Sequence, residues 1–105
     1  MDKTTIDEVI AYLKESLERN GIQLGSIALF GSALHGNMSN DSDIDMIIIS
    51  PDFRGLDLFE RAKITMKPET ETMKKFRIPM DIINLTPEEY DDSNVKLFYQ
   101  SKIVA

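Results

Sequence analysis

Leu29-Phe30-Gly31-Ser32 and, ten residues further on, Asp43-Ile44-Asp45-Met46-Ile47-Ile48-Ile49 are the stretches whose reading decides the fold. The first closes a short apolar run, Leu24 to Phe30, that glycine both interrupts and follows. That pattern predicts a buried strand rather than a helix. The second carries β-branched residues at odd and even positions alike, which predicts a central strand covered on both faces and ended by Pro51. Between them, Gly31-Ser32 opens a short turn or helix over Ala33 to His35, followed by a polar loop from Gly36 to Asp41.

Upstream, Ile6, Val9, Ile10, Leu13 and Leu17 recur at three- and four-residue steps and predict an amphipathic helix from Thr5 to Asn20. Thr4 or Thr5 is the expected cap, Asp7 and Glu8 fall in the first turn, and Gly21 supplies a left-handed stop. Downstream, Leu56, Leu58, Phe59, Ala62, Ile64, Met66, Met73 and Phe76 suit a helix, which Pro68 is expected to split. The methionines read as core filling. Met80 to Leu85, introduced by Pro79, predicts a third strand. Thr86-Pro87-Glu88-Glu89 has the hydroxyl cap, early proline and acidic first turn of a helix start. The expected order is α, β, short α, β, α, β, α, with no repeat and no linker, and hence one domain over residues 1–105.

Composition bounds the function. Of 105 residues, 42% are hydrophobic and 29% charged, which suits a folded domain rather than a disordered one. With no cysteine there is neither a disulfide framework nor a thiolate site, so a metal would need oxygen ligands or the lone His35. No apolar run approaches the roughly 20 residues that span a bilayer, and a cytoplasmic setting is the default expectation. A net charge of -6 argues against extended nucleic acid, whose non-specific affinity comes from clustered lysine and arginine.

Within a strand, residues two apart share a face about 6.5 to 7 Å apart, so Asp43 and Asp45 present two carboxylates side by side. Like charges so placed need a cation or water, and magnesium prefers carboxylate, water and phosphate oxygens. Taken alone, Asp-x-Asp equally describes a solvated turn entering a strand, and Gly31-Ser32 a plain turn. Asp81, interrupting the apolar run Met80-Asp81-Ile82-Ile83, is either an edge residue facing water or a functional carboxylate.

The whole arrangement, a strand ending in glycine-serine, a spacer, then aspartate-x-aspartate on the next strand, resembles the minimal nucleotidyltransferases of the DNA polymerase beta superfamily. The likeness spans Gly25 to Leu85. It implies a small α/β (α+β) domain, palm-like, with a mixed sheet and helices packed mainly on one face. It implies roles for Gly31 and Ser32 at the triphosphate, and for Asp43, Asp45 and Asp81 as catalytic and metal-binding carboxylates holding Mg2+, two ions by analogy, against ATP. Small members of this kind are commonly paired with a helical HEPN-domain toxin, which they neutralise by adenylylating a tyrosine. That makes an antitoxin the expected setting. A non-catalytic antitoxin subunit, or a catalytic subunit acting on a small molecule or RNA beside a separate substrate-binding subunit, stays open as an alternative. The chain departs from the pattern at Ala33-Leu34-His35, where small members often carry arginines. His35, or the basic group Lys63, Lys67, Lys74, Lys75 and Arg77, could contact phosphate instead; the same basic group also reads as a solvated face.

Overall fold

A computed structural model of the chain describes residues 2–31, 43–92 and 101–105. Helix α1 runs Lys3–Arg19 and is capped by Asp2, whose side chain accepts the Thr5 backbone N–H at 2.9 Å. The cap thus lies earlier than Thr4 or Thr5, because an aspartate meets the same orphan donors and gains the helix extra residues. Asp7 and Glu8 consequently lie beyond the first turn. Gly21, at φ +80, makes the expected left-handed stop.

Strand β1 (Ser26–Leu29) pairs antiparallel with β2 (Ile44–Ile49), and β2 pairs parallel with β3 (Met80–Leu85). The short β4 (Lys102–Ile103) adds to the free side of β1, giving the order β3-β2-β1-β4. Strand β2 is interior and buried at Ile44, Met46, Ile47, Ile48 and Ile49, as the apolar run from Met46 to Ile49 requires. Strand β3 lies at the edge.

After a 3-10 turn at Pro51–Phe53, helix α2 (Leu58–Phe76) crosses back to β3, and α3 (Pro87–Asp91) follows it. Asp57 and Glu60 form a capping box at the start of α2, and Thr86 and Glu89 form another at the start of α3.

Pro68 does not split α2, which is continuous through it. Its missing N–H and the clash of its ring cost a helix roughly 3 kcal/mol. That cost is offset where the ring is wholly buried, as here, on a stripe with Arg61, Thr65 and Thr72. This stripe also corrects the expected inner face. Leu58, Phe59, Ile64 and Met66 are exposed, and the helix instead buries polar side chains that satisfy themselves locally. Thr65 and Thr72 hydroxyls donate to the carbonyls of Arg61 and Pro68 at 3.0 and 2.8 Å. Met66 is therefore no core filler, whereas Met46 is.

The main core lies between α1 and the face of the sheet bearing Ile27, Leu29, Ile44, Met46 and Ile48, with Phe53 and Ile82 joining it. The other face carries a smaller cluster of Ala28, Ile47, Ile49 and Tyr90, packed with Phe30, Ile83 and Leu85. The two long helices therefore cover one face, and Asp45 and Asp81 lie on the other.

Candidate active site

Side chains alternate along a strand, so the face of β2 that carries Ile47 and Ile49 also carries Asp45 and, one step before the strand, Asp43. The parallel register pairs Asp45 directly with Asp81, and the same register pairs Ile47 with Ile83 in the small cluster. Adjacent strands lie about 4.8 Å apart, so the carboxylates of Asp45 and Asp81 stand side by side on the face away from α1 and α2. Asp43 extends the row towards solvent. Asp43 and Asp81 are exposed and Asp45 is half-buried, which places the most shielded carboxylate between two solvated ones.

Strand β1 runs antiparallel, so its end reaches the beginning of β2. The Phe30 N–H donates to the Asp45 carbonyl at 3.1 Å and fixes the following residue against Asp45. That residue is Gly31, in the left-handed region at φ +65. A Cβ there would run into the Asp45 carboxylate, with the carboxyl carbon at 3.2 Å. Glycine is thus required twice over, by backbone sign and by space. The part played by Phe30 is a main-chain one and leaves no signature in side-chain chemistry; only the antiparallel pairing of β1 with β2 exposes it.

Burial, then the Asp81 charge, then the Asp43 charge push the Asp45 carboxyl above its ordinary value. An acid surrounded by acids is unfavourable when ionised unless a cation joins it. Among the described residues, no group of three acidic or imidazole side chains stands close enough to enclose a metal ion by protein ligands alone. Magnesium does not ask for that. It keeps several waters and takes one or two carboxylates together with phosphate oxygens. The donor set, oxygen-only, acidic and open on one side with a glycine pressed against it, fits such an ion.

Of the residues expected at the site, Gly31, Asp43, Asp45 and Asp81 are brought to one end of one sheet face. Ser32 and Ala33-Leu34-His35 lie outside the described residues. Lys63, Lys67 and Lys74 belong to the outer side of α2, across the sheet from the carboxylates, so they do not line this site. No helix among the described residues is long and apolar enough to cross a membrane.

A family model for the nucleotidyltransferase domain matches residues 10–104. No curated protein sequence matches that of the chain. Among solved structures, a protein assigned as a minimal nucleotidyltransferase shares 19% identity at a TM-score of 0.60, covering 100% of this chain and 96% of its own. A toxin-antitoxin solved with AMP-PNP shares 22% identity at a TM-score of 0.58, covering 89% of this chain and 69% of the other. BolA1 from Arabidopsis thaliana, at 16% identity and a TM-score of 0.56, covers 77% and 94%. Likeness at these identities describes the fold alone; it is the family match, taken with the carboxylates, that bears on activity.

Proposed function

Because the chain belongs to the nucleotidyltransferase domain family, we propose that it transfers AMP from ATP to an acceptor hydroxyl, the phenol of a tyrosine on a HEPN-domain toxin that it thereby neutralises. The observation that supports this most is the in-register pairing of Asp45 with Asp81, with Asp43 on the same face and Gly31 pressed against Asp45. In the transfer, the acceptor oxygen forms a bond to the α-phosphorus while the bond to pyrophosphate breaks, and the hydroxyl proton leaves to a base. Asp81, on a separate strand at the open edge, is nominated as the group that takes or directs that proton. Asp43 and Asp45 are nominated to hold the triphosphate through Mg2+, one or two ions. Magnesium, when bound, supplies charge neutralisation for the attacking and leaving oxygens. Gly31 gives the phosphates close backbone approach, and Ser32 follows as a hydroxyl donor. The likeness to a toxin-antitoxin solved with AMP-PNP supports the setting and the choice of nucleotide.

The test combines the protein, a HEPN-domain partner, labelled ATP and Mg2+, and reads the added nucleotide on the partner by mass spectrometry. Transfer should fall about 100-fold or more in Asp81→Asn, with Mg-ATP binding by calorimetry changed far less. In Asp45→Asn both should fall, while the metal-free protein melts no lower than the parent, since a repelled carboxylate has been removed. A partner that is bound and inhibited yet unmodified in the presence of fresh Mg-ATP would instead identify a binding-only antitoxin. Unchanged Mg-ATP binding in a folded Asp43→Asn, Asp45→Asn variant would remove the site itself.

A further inference from the structure

Helix α2 sorts its charges. Each of its glutamates is engaged: Glu60 in the capping box with Asp57, Glu71 with the Ser16 hydroxyl and Arg19, and Glu69 half-buried beside Thr65. Lys63, Lys67 and Lys74 form no direct ion pair among the described residues and stand together along a shallow outer groove with Met66, Thr70 and Glu71, whose carboxylate is bonded to Ser16 and Arg19 and lies within electrostatic reach of Lys67. Their spacing puts them on one side of the helix, and Phe59, Ala62 and Met66, at steps of three and four, form the neighbouring row. Two of these apolar side chains are unusually bare, Phe59 at 85% and Met66 at 60% of full exposure, and Leu58 at 74% flanks them. The result is an apolar ridge beside a basic row, about 22 Å long from Phe59 to Lys74, on a chain whose net charge is -6. Exposed large apolar side chains grouped in this way mark interaction surfaces.

We propose that this outer face of α2 docks an acidic amphipathic helix of another protein, its apolar stripe against Phe59 and Met66 and its carboxylates against Lys63, Lys67 and Lys74. The occupant follows from complementarity of sign and shape. A helical ridge packs against another helix, and three exposed lysines with no direct ion pair among the described residues select carboxylates. A second copy of this chain is a poor match. Its most acidic helical surface, the outer side of α1 with Asp7, Glu8, Glu15 and Glu18, offers no large apolar side chain. Pairing α2 with α2 would oppose lysine rows. An anionic membrane is disfavoured by the acidic charge of the whole. The inference does not depend on the transfer reaction, because α2 and the carboxylates occupy opposite faces of the sheet.

The test uses the full chain and two synthetic helical peptides with the same leucine stripe, one flanked by glutamate and one by lysine. Fluorescence anisotropy should show binding of the glutamate peptide, weakening as salt rises, with amide exchange slowed along α2. Lys63→Glu, Lys67→Glu, Lys74→Glu together should weaken that peptide about tenfold or more and make the lysine peptide the preferred ligand. Phe59→Ser with Met66→Gln should weaken both pairings by a similar factor. All five positions are solvent-facing, and unchanged melting confirms that the variants fold. No binding by either peptide, equal binding by parent and charge-reversed protein, or protection confined to another element overturns the proposal. So does a concentration-dependent dimer abolished by Phe59→Ser, which would make the surface a self-interface. Capture by phosphatidylserine vesicles that the same substitution abolishes would make it a lipid surface.

Discussion

A methyl group added at position 31 meets two separate obstacles, and they can be told apart. A left-handed φ of +65 costs an ordinary residue roughly 1 kcal/mol, and the new carbon runs into the Asp45 carboxylate. Gly31→Ala should therefore lower stability by roughly 1 to 3 kcal/mol in denaturant titration. Placed on an Asp45→Ala background, the same change should cost only the backbone part. Equal cost in both backgrounds would show that Gly31 does not press on Asp45. Glu69 behaves differently, as its burial raises the carboxyl from 4.5 to about 7 and only the Thr65 hydroxyl opposes the shift. The folded state then holds the proton more tightly than the unfolded chain, so the stability that this group contributes is fully present below about 4.5 and is lost as pH rises through about 7. Glu69→Gln should abolish that decline. Its advantage over the parent should be roughly 1 to 3 kcal/mol at pH 8 and absent at pH 4. Parallel melting curves across that range for parent and variant would discard the buried-acid reading.

Helix α2 is joined to β3 and α3 through Arg61, which is itself buried. Its guanidinium donates to the Leu56 and Asn84 carbonyls at 3.0 Å each and to the Glu89 carboxylate at 2.7 Å, so one side chain ties α2 to β3 and α3. The planar fork with several donors is what allows this, and an ammonium group cannot reproduce it. Arg61→Lys should cost roughly 2 kcal/mol or more despite keeping the charge, and Glu89→Gln should cost less because Glu89 is partly solvated. If urea unfolding shows Arg61→Lys equal to the parent, the charge alone suffices. This element is also where the sequence was least legible. Hydrophobic periodicity reads apolar residues as inward-facing, and in α2 the inward stripe is Arg61, Thr65, Pro68 and Thr72, made acceptable by local hydrogen bonds that periodicity does not register. Helix α1, β1 and β2 were legible because their burial is apolar in the ordinary way: Leu13 and Leu17 on one stripe, Ile44 to Ile49 on two faces. The pairing of Asp45 with Asp81 was readable only as membership in a family pattern. Strand register depends on how α2 crosses between β2 and β3, and no local spacing encodes that crossing.

Across the molecule, two helices shield one face of the sheet while the carboxylates occupy the other, and charge is distributed to match: acids at the sheet end, exposed lysines on the back of α2. The same layout gives Asp81 a second consequence. It is an exposed residue on β3, an edge strand whose remaining residues, Met80, Ile82, Ile83, Asn84 and Leu85, include no charge. Alternate peptide groups of an edge strand point outward, and an apolar edge of this kind is a template for pairing between molecules. A carboxylate near its start works as a gatekeeper against aggregation. A variant that neutralises Asp81 therefore removes a solubility device along with the nominated carboxylate, so any loss of transfer has meaning only beside a light-scattering measurement showing that the protein is still dispersed.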